Sequence, residues 1–213
     1  RLHKLDRPPR TWIPLKAISA LKTYFNEKGM GRALRHRDFV IYATTHMIAS
    51  VGFWVQRLGI GWLTWELTYS AKWLGIIAAA EALPNVVLLP IAGAVADRVD
   101  RLRLYRHMQI IVTLLALLVA VLTIGEWIDE YLLLGIMFLS GIAHSMSMPA
   151  RMTVVPGVVP REDVTPAIAF DAVLFQITAF IGPMIAGVVI TMLGVGYTFA
   201  FTAITFTVFV AGL

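Results

Sequence analysis

A dense cluster of charges between two long apolar runs constrains the fold of this chain more than any other feature of its sequence. The cluster occupies residues 93–103 and reads Gly-Ala-Val-Ala-Asp-Arg-Val-Asp-Arg-Leu-Arg. Residues 73–92 before it carry a single charge, Glu81, and a second apolar run follows at residues 104–125. Each run is near the ~20 residues with which a helix crosses ~30 Å of hydrocarbon. The cluster is therefore predicted to be a tight turn between two membrane-spanning helices.

The composition also indicates an integral membrane protein. Hydrophobic residues make up 58% of the 213 residues and charged residues 15%, against about 25% charged in soluble domains. The sequence pI of about 9.7 would fit a nucleic-acid-binding protein. The basic residues, however, lie at helix ends rather than on a soluble face. We therefore expect a lipid bilayer and no nucleic acid as partner. The absence of cysteine excludes disulfides and cysteine metal ligands.

Six apolar segments predict an all-α polytopic membrane protein with six transmembrane helices in residues 39–213. The helices are expected at about residues 39–67, 73–95, 104–125, 131–155 and 167–193, with a sixth from about residue 196. The sixth is expected to be incomplete, because the chain stops inside an apolar run.

Residues 1–38 form a basic segment that is expected to be cytosolic. Its apolar residues at three- and four-residue steps predict a short amphipathic helix on the anionic membrane surface; they are Ile13, Leu15, Ile18, Leu21 and Phe25. A basic tail that only orients the first helix fits equally well.

The distribution of basic residues predicts the orientation. Of 18 Lys and Arg residues, ten lie in residues 1–38, four in residues 98–106 and two at Arg151 and Arg161. Lys72 falls on the opposite side and Arg57 within the membrane. Since cytoplasmic loops carry the excess of Lys and Arg, the N-terminus and the 93–103 turn are predicted to be cytosolic, as is Arg151 at the end of the fourth helix.

Ionisable residues inside the predicted helices are candidates for a transport pathway, because charges in hydrocarbon are costly. Arg57 and Glu81 are expected at similar depth on adjacent helices, so they can form an ion pair. The pair either neutralises two buried charges or serves as a proton or cation site, with Arg57 tuning Glu81. Both interpretations stay open.

Two histidines and an aspartate have the same ambiguity. His46 and Asp171 are each several residues into their helices from the cytosolic side, so they can face each other. His144 is expected near the middle of the fourth helix. Each is a candidate for a proton or substrate pathway. The alternatives are that His46 and Asp171 extend toward the membrane surface, and that any of the three is hydrogen-bonded within a packed bundle, as lone membrane histidines more often are.

No residue pattern predicts catalysis, a cofactor or a metal site. His144 and Ser145 are neighbours in sequence and point about 100° apart on a helix, which does not make a nucleophile and base pair. Clusters with metal-ligand spacing are absent from the sequence. An enzyme is therefore not expected.

The 93–103 turn resembles the loop signature of the major facilitator superfamily, Gly-x-x-x-Asp-Arg-x-x-Arg-x-Arg between the second and third helices. The residues that match are Gly93, Asp97, Arg98, Arg101 and Arg103. The resemblance implies that this loop controls conformational switching. It also implies that the six helices are the N-terminal half of a transporter whose C-terminal six-helix half completes the substrate cavity.

A second motif lies on the fifth predicted helix. Gly182, Pro183 and Gly187 resemble part of the Gly-Pro-x-x-Gly-Gly signature of drug and proton antiporters in the superfamily, with Ala186 in place of the first paired glycine. The small residues predict close approach of a neighbouring helix. Further short motifs in residues 33–213 are similar to a bacterial branch that includes siderophore exporters.

The resemblance implies proton-coupled export of a small organic molecule across the bacterial inner membrane by alternating access. The alternative is a membrane scaffold or assembly module that uses the same bundle without transport. Buried charges that face a wet cavity favour transport, and charges fully paired inside the bundle favour a scaffold.

Overall fold

The computed structural model describes residues 30–213, and every regular element in that range is helical. The amphipathic helix predicted between residues 13 and 25 lies outside the described residues. A short 3-10 helix, Met30–Arg35, leads into the first long helix.

Six long helices follow in order. They are α1 Arg37–Thr68, α2 Ala71–Ala96, α3 Arg101–Ile124, α4 Glu130–Arg151, α5 Val164–Leu193 and α6 Gly196–Gly212. A helical turn at Val154–Val158 and a 3-10 turn at Arg161–Asp163 connect α4 to α5. The fourth helix was predicted to run to residue 155 and ends at Arg151. Pro156 is tolerated in the first turn of the separate segment Val154–Val158, but in a helix continuing from α4 its ring would clash with the carbonyl of Met152.

Four helical segments are long and apolar enough to cross a membrane: Ala71–Ala96, Arg101–Ile124, Glu130–Arg151 and Arg161–Leu193. Helix α1 is long enough to cross a membrane, with 32 residues, but polar residues such as His46, Gln56 and Arg57 lower its mean hydropathy. Helix α6 has 17 residues and is apolar but short. The all-helical class is confirmed, and a membrane-spanning character is supported for four helices.

The helices pack as a bundle in which sequence neighbours are not always contact neighbours. Helix α2 packs mainly on α4, α1 packs on α5 and α6, and α3 packs on α4 and α6. Glycines allow the closest approaches: Gly52 and Gly59 of α1 face Thr205 and Thr198 of α6. The Thr202 hydroxyl of α6 donates to the Gly52 carbonyl at 2.9 Å.

The turn between α2 and α3 uses its charges locally. Asp100 caps the N-terminus of α3 by accepting a hydrogen bond from the Arg103 N–H at 2.9 Å. Arg101 donates to Asp97 Oδ1 at 2.7 Å, one helical turn away. Asp129, in the acidic turn before α4, caps the N-terminus of α4 by accepting a hydrogen bond from the Leu132 N–H at 2.7 Å.

Candidate functional site

Arg57 of α1 lies beside Glu81 of α2, with 3.6 Å between Arg57 Nη1 and Glu81 Oε2. The Glu81 side chain is 21% exposed and the Arg57 side chain 56%. The distance is that of an ion pair and exceeds that of a strong charged hydrogen bond. Both charges are therefore held together at an open face of the bundle, where small changes in helix position alter their interaction.

His46 of α1 and Asp171 of α5 form a second pair, with 2.7 Å between His46 Nδ1 and Asp171 Oδ1. Their side chains are 8% and 14% exposed. The His46 ring is stacked on Tyr42 at 5.3 Å and contacts Phe209 of α6 at 5.5 Å. This pair is thus enclosed by aromatic rings and ties α1 to α5.

His144 lies between these two pairs on α4. Its Nδ1 is 3.1 Å from the Ser140 carbonyl oxygen one turn earlier. Because a carbonyl only accepts, Nδ1 carries the proton in this contact, and Nε2 of the neutral ring is the acceptor. The ring packs edge-on against Phe53 of α1, with 6.3 Å between centroids.

Two cavities adjoin these residues. One of about 110 Å³ lies among α1, α3, α4, α5 and α6, and His46 lines it. The other, of about 340 Å³, lies between α1, α2 and α4, and Arg57 and Glu81 line it. Their linings have four residues in common: Phe53, His144, Ser147 and Arg151. The candidate site is therefore one region in which two adjoining cavities share part of their lining.

Arg151 was predicted only as the cytosolic end of the fourth helix, and the structure gives it a place in the cavity walls. It is the last residue of α4, and its guanidinium carbon lies 5.9 Å from the centroid of the Phe175 ring. Phe175 is eleven residues beyond the start of α5, about 16 Å along that helix at 1.5 Å per residue. The Arg151 side chain thus points into the bundle rather than out of it.

Only part of the small-residue motif predicted on α5 makes a close contact with a neighbouring helix. A Cβ added at Gly182 would collide with Trp54 of α1, whereas one added at Gly187 meets no atom within 4 Å. Ala186 is fully buried. The close contact therefore involves Gly182 and Ala186, four residues apart on one face, and Gly187 is rotated about 100° from that face. Pro183 lies inside α5.

The predicted switch loop lies apart from the cavities, because none of its five matching residues lines either of them. Asp97 and Arg101 bond to each other, and Arg103 lies 3.7 Å from Asp100. Arg98 is exposed. A Cβ added at Gly93 meets nothing within 4 Å, so within the described residues no helix packs on this glycine.

Sequence reasoning missed an ionic cluster at the same end of the bundle as Arg151. Asp163, 8% exposed, lies 3.0 Å from Arg32 Nε and 2.9 Å from His36 Nε2. These contacts join the segment before α1 to the segment before α5. The run Pro160-Arg-Glu-Asp163 was visible in the sequence, but no pattern indicated a partner some 130 positions away.

The fold and site define a helical membrane protein with charged pairs at cavities between its helices. A family profile described as transmembrane secretion effector matches residues 32–213. The chain belongs to this family of the major facilitator superfamily, as the loop signature predicted.

Two curated relatives illustrate the similarity. The staphyloferrin A transporter of Staphylococcus aureus is 26% identical over 169 residues, which cover 78% of this chain and 42% of that protein. Macrolide efflux protein A of Streptococcus pyogenes is 25% identical over 132 residues, which cover 62% of this chain and 32% of that protein. The chain therefore spans less than half the length of these relatives. No solved structure matches it.

Proposed function

We propose that this chain is the N-terminal six-helix half of a secondary active transporter that exports a small organic molecule in exchange for protons. The observation that carries the proposal is that Arg57, Glu81 and His46 line cavities between the helices. Ionisable side chains at such positions are expensive and mark substrate or proton routes. Membership of the secretion effector family and the names of the two relatives, a transporter and an efflux protein, support export.

In this mechanism a C-terminal six-helix half forms the opposite wall, and the two halves rock about a central site. Glu81 is the proposed proton acceptor, since its carboxylate borders the larger cavity and has a cationic neighbour that is itself half-exposed. His46, Asp171 and His144 are proposed as the continuation of the polar route. One observation favours the scaffold alternative: His46 and Asp171 are fully engaged with each other at 2.7 Å.

A comparison of culture media tests export directly. With expression adjusted so that both strains hold equal amounts of folded protein in the membrane, cells that produce the complete protein are expected to accumulate at least one small organic molecule in the medium that cells with the Glu81→Gln variant do not. Addition of a protonophore is expected to abolish the difference, because exchange needs the proton gradient. A scaffold predicts identical media for both strains at equal protein levels.

The proposed topology places the N-terminus and the α2–α3 loop in the cytosol of a bacterium, with all six helices crossing the inner membrane. We expect a reporter fused after Arg103 to be cytosolic and one fused after Asp129 to be external. The basis is the concentration of Lys and Arg at one set of helix ends. Inverted labelling of the two fusions would contradict the orientation.

The α2–α3 loop is proposed to control conformational switching. Because Asp97 lies outside both cavity walls and is bonded to Arg101, we expect Asp97→Asn to slow export by ~10-fold or more while substrate affinity changes only a few-fold. Export rates and equilibrium binding in the complete protein measure the two effects separately. Abolished binding with an unchanged export rate per bound molecule would contradict this role. Asp129→Asn, which removes a carboxylate from a different turn, is the matched control.

A further inference from the structure

Arg151 presents a cavity-facing positive charge that forms no ion pair with a carboxylate of residues 30–213. Its side chain is half-buried, and within residues 30–213 no carboxylate lies within 4 Å of it. An arginine remains charged in a protein at any physiological pH. A buried charge of this kind is normally paired with an ion of opposite sign.

The acidic groups nearest to the cavities already have partners. Asp171 is 2.7 Å from His46, and Glu81 is 3.6 Å from Arg57. Each of these pairs combines one acidic with one basic group. Of the two arginines at the cavities, Arg151 is therefore the one that has no carboxylate within 4 Å in the described residues.

An aromatic ring and two polar side chains lie around the Arg151 guanidinium or line the same cavities. The Phe175 ring lies beneath it at 5.9 Å, a distance at which a cation is attracted to an aromatic face. Ser147 and His144, one and two turns earlier on α4, line the same two cavities. Phe53 adds a second ring to both walls. The guanidinium therefore lies over one aromatic ring, in walls to which Phe53 contributes a second.

We propose that Arg151 is a substrate-binding residue and that the substrate is an organic anion with a carboxylate next to an apolar or aromatic body. A guanidinium binds a carboxylate through two parallel hydrogen bonds, and Phe53 and Phe175 pack on the apolar part. This inference rests on the proposed function, since it names the class of molecule exported. It places the anion at the junction of the two cavities.

Two probes of one shape test the charge requirement: naphthalene-2-carboxylate and its neutral amide, naphthalene-2-carboxamide. Titration calorimetry on the purified complete protein is expected to show the carboxylate bound ~10-fold or more tightly than the amide, the size of effect that one charged bidentate contact supplies. Arg151→Gln is expected to remove that preference. Arg151→Lys keeps the charge without the fork and is expected to retain only part of it.

Arg106→Gln is the matched control, because it removes an exposed arginine that lines neither cavity. It is expected to leave the preference for the carboxylate unchanged. Equal affinity of the wild-type protein for both probes, absence of carboxylate binding, or an unchanged preference in Arg151→Gln would each overturn the proposal. If Arg151→Gln does not fold, the wild-type comparison and Arg151→Lys still decide.

A carboxylate in the C-terminal half is the competing partner for Arg151. It predicts that Arg151→Gln lowers the thermal stability of the ligand-free protein and that the wild type shows no carboxylate preference, which would overturn the proposal. The outcome for export is separate. Carboxylate-selective binding without export contradicts the proposed function alone, and export without carboxylate selectivity contradicts this inference alone.

Discussion

Glu81→Gln is expected to lower the amount of folded protein in the membrane by ~5-fold or more relative to wild type, a change equivalent to about 1 kcal/mol. Arg57→Ala is expected to lower it less. The two side chains lie 3.6 Å apart, so each loses its counter-charge when the other is removed. The consequences differ because arginine cannot release its proton, whereas Glu81 can take one up and become neutral. Membrane-fraction immunoblots and size-exclusion profiles measure the difference.

The double variant of Arg57→Ala with Glu81→Gln distinguishes the two interpretations of the pair. Both predict that the yield of folded protein recovers, because neither charge is stranded. If the pair is a proton site, export by the double variant is expected not to depend on pH. If the pair is purely structural, export by the double variant is expected to show the normal pH dependence. Additive losses of yield in the double variant would show that the residues are not coupled.

Glu66→Gln is the control for the loss of a carboxylate on α1. Glu66 accepts a hydrogen bond from Trp62 Nε1 at 2.7 Å, and a glutamine oxygen can accept the same bond. No cation lies within 4 Å of Glu66 in residues 30–213. We therefore expect near-normal yield and normal pH dependence from this variant.

Gly141→Ala is expected to lower the midpoint of thermal unfolding by ~2–12 °C. A Cβ at Gly141 of α4 would collide with the backbone carbonyl oxygen of Glu81 in α2, and backbone cannot move aside as a flexible side chain can. Overpacking of this kind costs about 1–3 kcal/mol, and each kcal/mol shifts the midpoint by ~2–4 °C in a domain of this size. The α2–α4 contact is also the most extensive helix pair in the bundle.

Gly135→Ala on the same helix is the matched control, because a Cβ there meets no atom within 4 Å. It is expected to leave the midpoint unchanged or to raise it slightly, since alanine is the better helix former. A fluorescence-based thermal shift of the purified protein measures both variants. Equal midpoints for the two would show that α2 and α4 are not in close contact at Gly141.

Helix positions followed from the sequence because apolar length and turn residues are local properties. The predicted bounds of the second helix, 73–95, compare with Ala71–Ala96, and those of the fifth, 167–193, with Val164–Leu193. The loop signature led to the family that the profile match shows. The distance of a residue from its helix end, at 1.5 Å per residue, predicted that Arg57 lies level with Glu81 and that His46 lies near Asp171. The structure places the side chains of each pair within 4 Å of each other.

The sequence by itself determined the helical class, the apolar character of four long helices, the family and the position of each polar residue along its helix. Tertiary structure alone decided which side of each helix faces which neighbour. The rotation of a helix about its axis depends on contacts with residues far away in the chain. This is why Arg151 was assigned to a helix end and lies in the cavity wall, why Gly141 rather than Gly187 makes a close backbone contact, and why the partners of Asp163 could not be foreseen.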